Sequence, residues 1–296
     1  MPPHTLLTRY TLFRILILTG ACVVVIAIAI AMTASLRGVP PAQAATNTPT
    51  PRPSPTARPT PTPRPPASVR VPILMYHYIS DPPPGSDKLR VDLSLSPKQF
   101  EAQLRYLKEN GFTTVSLQDV YDLLKTGKPL PTKPVVLTFD DGYLDHYTEA
   151  FPLLKKYGMM GTFFIVTDYI VYKNPEHLTW PMVKEMARAG MSIESHSRTH
   201  KDMRNRSTNF LVWEILGPVE QIEAYAGKRP RFFCYPTGKY DARVIKILRD
   251  VGTHAAVTTE HGSTYTLANA MEWPRLRVRN TTSIEGFANL VETAHR

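Results

Sequence analysis

From Val69 onward the chain alternates short apolar runs with amphipathic stretches, which is the pattern of βα units wrapped around a parallel sheet. Val71–Tyr76, Phe112–Val115, Val135–Phe139, Gly161–Val166, Met191–Ser195, Phe232–Cys234, His254–Val257 and Leu276–Val278 read as strands. Ser96 and Pro97 open a helix that Gly111 closes, the serine as N-cap and the proline at the first helical position. Ser116 caps a second helix that runs to Thr126. Further helices are predicted near Leu144–Tyr157, Pro181–Ala189, Phe210–Tyr225 and Ala242–Asp250, with a last one from Ile284. No internal repeat is evident, and about 225 residues of this kind fit a single α/β barrel better than two domains.

The segment before this domain follows another pattern. Ile15 to Leu36 is a run of 22 residues without a charge, long enough to cross a hydrocarbon core as a helix. Arg9 and Arg14 precede it, so the positive-inside rule puts residues 1–14 in the cytoplasm and everything after Leu36 outside. The alternative is a signal peptide cleaved near Ala44, at Ala42-Gln43-Ala44, although the apolar run is longer than a usual signal core and ends well before that site. Cys22 stands in a poor match to a lipidation motif. Residues 37–68 are rich in Pro and Thr, cannot form a core and favour an extended stalk. The expected organisation is therefore a cytoplasmic tail (1–14), a transmembrane signal-anchor (15–36), a disordered stalk (37–68) and a catalytic domain (69–296).

Charge adds little to this picture. The formal net charge is +10, but six arginines and no acidic residue lie in residues 1–66, which leaves 29 basic against 25 acidic side chains in the rest. No clustered basic face or binding motif supports a nucleic-acid partner. With two cysteines, one of them in the apolar run, there is neither a disulfide framework nor a cysteine zinc site. No protein partner is implied.

The chemistry sits in two short stretches, Thr138-Phe139-Asp140-Asp141-Gly142 and His196-Ser197-Arg198-Thr199-His200. One carboxylate and two imidazoles make a hydrolytic divalent-metal site with an open position, and the second carboxylate is left over as a base. His residues four apart on one helical turn face the same way and can share one ion. Zinc is the default for that set, with cobalt, nickel, iron or manganese also admissible. Asp140, Asp141, His196, Tyr235-Pro236-Thr237-Gly238 and His77 each follow a predicted strand, and in a parallel barrel those strand ends share the rim where active sites are built.

These motifs resemble those of the NodB-homology polysaccharide deacetylases, carbohydrate esterase family four, over about Val71 to Leu290. Val71-Pro72-Ile73-Leu74-Met75-Tyr76-His77 and Phe233-Cys234-Tyr235-Pro236-Thr237-Gly238 further resemble the branch that includes extracellular poly-N-acetylglucosamine deacetylases. The resemblance implies a distorted (β/α) barrel, with Asp140 as general base and Asp141, His196 and His200 as metal ligands. It also implies that the Thr237 main-chain N–H donates to the oxyanion, and that Tyr235 and Trp273 contribute to the substrate pocket. The family's usual arginine partner of the base is replaced by Cys234, so Arg275 is expected to take that place. The late histidine that serves as acid in the family has no clear counterpart, and His261 is the nearest candidate; His77 is expected to support the site from behind.

The expected function is a membrane-anchored, extracytoplasmic, metal-dependent N-deacetylase of a polysaccharide containing N-acetylglucosamine, such as peptidoglycan, an exopolysaccharide or a chitin-like chain. Alternatives are an O-acetyl esterase on a polysaccharide such as xylan, and a degenerate glycan-binding module tethered to the envelope. A binding module has no need for a base beside a metal ligand, which weighs against the latter.

Overall fold

The computed structural model describes residues 64–295. The expected cytoplasmic tail, transmembrane anchor, most of the stalk and Cys22 lie outside the described residues. Among the described residues no helix is long and apolar enough to cross a membrane.

Among the described residues there are ten strands, β1 (Val69–Arg70), β2 (Ile73–Tyr76), β3 (Thr113–Thr114), β4 (Pro134–Phe139), β5 (Thr162–Ile165), β6 (Ser192–Ser195), β7 (Phe232–Cys234), β8 (Ala255–His261), β9 (Thr264–Tyr265) and β10 (Trp273–Arg277). Seven of them close into an all-parallel barrel in the order β4, β2, β10, β8, β7, β6, β5 and back to β4. The barrel is therefore a seven-stranded member of the (β/α) type that the alternating pattern predicts. β3 extends it beside the start of β4, and β1 pairs antiparallel with β9 outside the ring.

Local chemistry explains the helices between the strands. Ser96 accepts from the Gln99 N–H and the Gln99 side chain reaches back to the Ser96 N–H, a capping box that starts the helix Pro97–Glu109. Ser116 and Asp119 do the same for Leu117–Thr126. Phe100, Leu104 and Leu107 lie on one face of the first of these helices and are buried against Leu74, Tyr76 and Phe139. The expected single helix Leu144–Tyr157 begins instead as a wide π turn, His146–Ala150, that runs into Phe151–Tyr157. Within that turn His146 Nε2–H donates to the His77 carbonyl at 2.6 Å, tying the turn to the loop after β2. The short helices Lys88–Asp92 and Thr167–Val171 were not predicted, because five residues are too few to display a helical period.

The barrel interior is filled rather than hollow. Ile73, Val136, Phe164, Phe232, Cys234, Val257 and Trp273 form one buried cluster inside it. Its weakest seam lies between β6 and β7, which share the single ladder pair Ser195–Phe233. A buried carboxylate closes this seam: Glu194 Oε2 accepts the N–H groups of Arg231 and Phe232, both at 2.8 Å, and Oε1 accepts the Ser192 hydroxyl at 2.8 Å. Glu194→Ala leaves two backbone donors without an acceptor, and urea denaturation is expected to show a loss of about 2–3 kcal/mol.

Candidate active site

The carboxyl ends of the barrel strands surround a pocket of about 390 Å³ lined by His77, Asp140, Asp141, His196, His200 and Thr237 among others. Asp140 and Asp141 leave the end of β4, His196 leaves β6, and Thr237 stands in the turn after β7. Asp141, Ser197, His200 and Thr237 all have φ between +55° and +76°. They are four of the six non-glycine positive-φ residues in the described chain, so uncommon backbone geometry concentrates at this rim. Gly238 follows Thr237 at φ +71°, and a Cβ there would lie 2.1 Å from Thr259 Oγ1, so only glycine fits this turn.

Asp141, His196 and His200 converge. The Nε2 atoms of His196 and His200 lie 3.3 and 3.2 Å from Asp141 Oδ1, and one ligand atom from each residue can be chosen so that all fall within 4.8 Å of one another. The His pair does not meet on a helical turn, as its spacing suggested. Residues 196–200 form an irregular loop in which the left-handed conformations of Ser197 and His200 fold the second imidazole back to the first. The Cys234 carbonyl accepts from His196 Nδ1 at 2.7 Å, which fixes the proton there and leaves the Nε2 lone pair facing Asp141. A tautomer fixed in this way, one carboxylate and a second imidazole together fit a divalent cation of the zinc type.

The loop is held from the helix Thr208–Ala226. The fully buried Glu214 accepts the N–H groups of Arg198 and Thr199 at 3.0 and 2.9 Å, together with the Thr199 hydroxyl. If the cluster holds a divalent cation, Glu214→Ala is expected to weaken its binding about 10–100-fold in a competition titration with zinc, because it frees the loop without touching Asp141, His196 or His200.

Asp140 is engaged differently. Arg275 holds it in a bidentate pair, Nη1 to Oδ1 and Nη2 to Oδ2, both at 2.7 Å. The same guanidinium donates to the Thr258 carbonyl at 3.0 Å, to Thr138 Oγ1 at 2.9 Å and to Cys234 Sγ at 3.2 Å, so it braces β4, β7, β8 and β10 from within. Burial pushes the Asp140 carboxyl up, but the charge and hydrogen bonds of Arg275 outweigh it and hold the group well below the usual carboxylate range. Cys234 thus lies beside Asp140 without contributing a charge; burial raises its thiol well above the ordinary value. His77 Nε2 is 3.9 Å from Asp140 Oδ2, and burial pushes its imidazole down to about 4 against the pull of Asp140 and Asp141. It is therefore a neutral neighbour of the pair at pH 7.

In the turn after β7, the Gly238 and Lys239 N–H groups go to the Tyr235 and Pro236 carbonyls, whereas the Thr237 N–H is not used within that turn. Two sequence candidates lie outside this pocket and a third only borders it. Tyr235 touches the pocket, but its side chain is fully buried, its hydroxyl donates to the Met271 carbonyl at 2.9 Å and its ring stacks on Tyr240, so it packs rather than binds. Trp273, at the inner start of β10, is fully buried with its Nε1–H on the Thr266 carbonyl, too deep to meet a substrate at the rim. His261 is exposed at the far end of β8 and lines a separate pocket with Arg70 and Leu276, so it cannot serve as the acid here.

Sequence reasoning missed Tyr78, Arg90, Tyr143 and Arg277, which also line the pocket. Tyr78 and Tyr143 stack at 3.7 Å, and the Arg90 guanidinium lies 3.4 Å over Tyr78. Tyr143 directly follows the Asp140-Asp141-Gly142 stretch, and Arg277 shares strand parity with Arg275, signals that were available in the chain.

A family model described as polysaccharide deacetylase matches residues 127–256. The chain is 34% identical to the Bacillus subtilis polysaccharide deacetylase YxkH over 76% of its own length and 77% of that protein. It is 25% identical to the poly-β-1,6-N-acetyl-D-glucosamine N-deacetylase of Escherichia coli, covering 68% of this chain and only 36% of that protein. The solved Streptococcus pyogenes deacetylase PplD, in complex with acetate, superposes with a TM-score of 0.69 at 28% identity, covering 75% of this chain and 98% of that one.

Proposed function

The chain belongs to the polysaccharide deacetylase family, whose members are hydrolases, and we propose that it removes N-acetyl groups from a glycan containing N-acetylglucosamine. The observation that carries this reading is the convergence of Asp141, His196 and His200 beside a carboxylate, Asp140, that is not consumed by the cluster. We assign Asp141, His196 and His200 as ligands of a divalent cation, zinc by default. Bound there, such a cation supplies Lewis acidity for activating water and polarising the acetyl carbonyl.

The remaining work falls to the chain's own residues. Asp140 accepts the proton of the attacking water, and the Arg275 fork fixes the direction of its lone pairs. The Thr237 N–H is the main-chain donor for the oxyanion that develops at the carbonyl. The buried walls around Asp140 keep bulk water from competing for its lone pairs. The proton needed by the departing amine can return from Asp140, since the carboxyl gained it in the attack; this accounts for the absence of His261 from the site.

Residues 15–36 act in this proposal as a signal-anchor that holds the catalytic domain outside the cell on the Pro/Thr-rich stalk. The test of function is acetate release by the full chain loaded with zinc, with an N-acetylglucosamine oligomer and acetylated xylan as substrates. Release from the oligomer supports N-deacetylation. Release from xylan alone makes the chain an O-acetyl esterase, and release from neither defeats the enzymatic reading.

A further inference from the structure

Arg277 is the last residue of β10 and stands half-buried in the wall of the pocket that also holds Asp140, Asp141, His196 and His200. Trp273, Arg275 and Arg277 alternate along the strand, the first deep in the interior cluster, the second on Asp140 and the third at the rim. The neighbouring guanidiniums are all engaged. Arg275 is spent on Asp140, Arg279 is paired with Asp92, and Arg90 donates to Ser80 and Ser94 while lying over Tyr78. Arg277 alone of this group makes no hydrogen bond or ion pair among the described residues.

The acids that face it are equally committed. Asp92 is held by Arg279, Asp140 by Arg275 and Asp141 by the two imidazoles, while Asp87, on the same pocket, accepts the Arg90 N–H as a helix cap and makes no ion pair with Arg277. Burial and the positive charge of Arg279 push the Arg277 guanidinium down from its ordinary value, yet an arginine stays charged at any physiological pH. Asp140 and Asp92 favour its charge only from a distance, each being paired with another arginine, so the hydration this half-buried cation has given up is not replaced by a direct partner among the described residues. A planar fork at a pocket rim matches a carboxylate bidentately, and sugar hydroxyls offer it no charge.

We propose that Arg277 is a specificity-determining residue that recognises a carboxylate carried by the glycan, so that the preferred substrate is an acidic N-acetylated chain rather than a neutral homopolymer. This rests on the deacetylase reading above and narrows its substrate class.

The test compares two oligosaccharides of equal length on the zinc-loaded full chain. One alternates N-acetylglucosamine with glucuronic acid, and the other is the same oligomer with its uronates converted to methyl esters. The native chain is expected to favour the acid form about tenfold in kcat/KM, mainly through KM, as one charge-assisted pair permits. Arg277→Gln should abolish that preference by lowering kcat/KM on the acid form about tenfold more than on the ester form, and Arg277→Lys should restore part of it. Equal treatment of both forms by the native chain, or an equal loss on both in Arg277→Gln, overturns the proposal. Inhibition by free acetate is the second arm. If Arg277→Gln weakens acetate inhibition and leaves the acid preference intact, the residue holds the product instead, which also overturns it. Should neither form release acetate while the N-acetylglucosamine oligomer does, the deacetylase reading stands and this proposal is overturned; should none of the three release it, the deacetylase reading fails, and calorimetric binding of the acid and ester forms still reads whether Arg277 selects the carboxylate.

Discussion

Asp140→Asn is expected to lower acetate release by about 10²–10⁴-fold, the span usual for loss of a general base. Zinc affinity, measured by competition with a chromophoric chelator, should stay at the native value, because Asp140, although it also lies near His196 and Cys234, is engaged by the Arg275 fork and stands outside the set Asp141, His196 and His200. Asparagine keeps the shape of the side chain and one acceptor for the Arg275 fork, but it cannot take a proton from water. A variant that binds zinc and turns over at the native rate removes Asp140 from the base role. One that loses both zinc and turnover moves it into the ligand set. Near-ultraviolet circular dichroism on the same samples shows that the barrel has kept its packing.

The second large effect is structural and catalytic together. Arg275 and Asp140 are 0% and 2% exposed, so the pair lies in a medium where either charge alone is costly. Arg275→Met strands the carboxylate and removes the donors to Thr138 Oγ1 and the Thr258 carbonyl, and urea denaturation at pH 7 is expected to show a loss of about 3–5 kcal/mol. The pH dependence follows from the direction of the shift. With Arg275 present, the folded carboxyl titrates below its unfolded value of about 4, so the stability the pair contributes is full above that value. It is lost as pH falls through the depressed folded value. Without the arginine, burial alone acts and the carboxyl titrates higher, so the deficit of the variant should be greatest at neutral pH and shrink on acidification. A deficit independent of pH between neutrality and pH 4 would falsify a role for charge pairing in this strut.

The two metal-type motifs were legible because their residues are local in sequence: Asp140-Asp141 ends a strongly apolar strand, and His196 to His200 spans one loop. Even so, the reason first given for the His pair, a shared helical face, is not how the rings meet. Two left-handed residues bend the loop, and Glu214, sixteen residues beyond Arg198, holds it there. Arg275 was expected beside Asp140 from the resemblance alone, since nothing local in Trp273-Pro274-Arg275 tells an inward arginine from an outward one. Trp273 and Tyr235 show the converse: the right residue types near the right motifs are drawn into the core by their own hydrogen bonds and stacking.

By itself the sequence determined the alternation of strands and helices, the capping serines at 96 and 116, the strand-end placement of the polar residues and the family. The first three follow from periodicity and short-range hydrogen bonding, which neighbouring residues settle among themselves, and the family from the resemblance of the motifs. The tertiary structure decided that seven strands close the ring, that one buried arginine joins four of them to Asp140, that His261 stands outside the pocket and that Arg277 faces it without a partner among the described residues. Each of these depends on which way a side chain points across the barrel and what lies opposite it, at separations such as the 135 residues between Asp140 and Arg275. No local pattern encodes such a meeting, because it exists only once the sheet has closed.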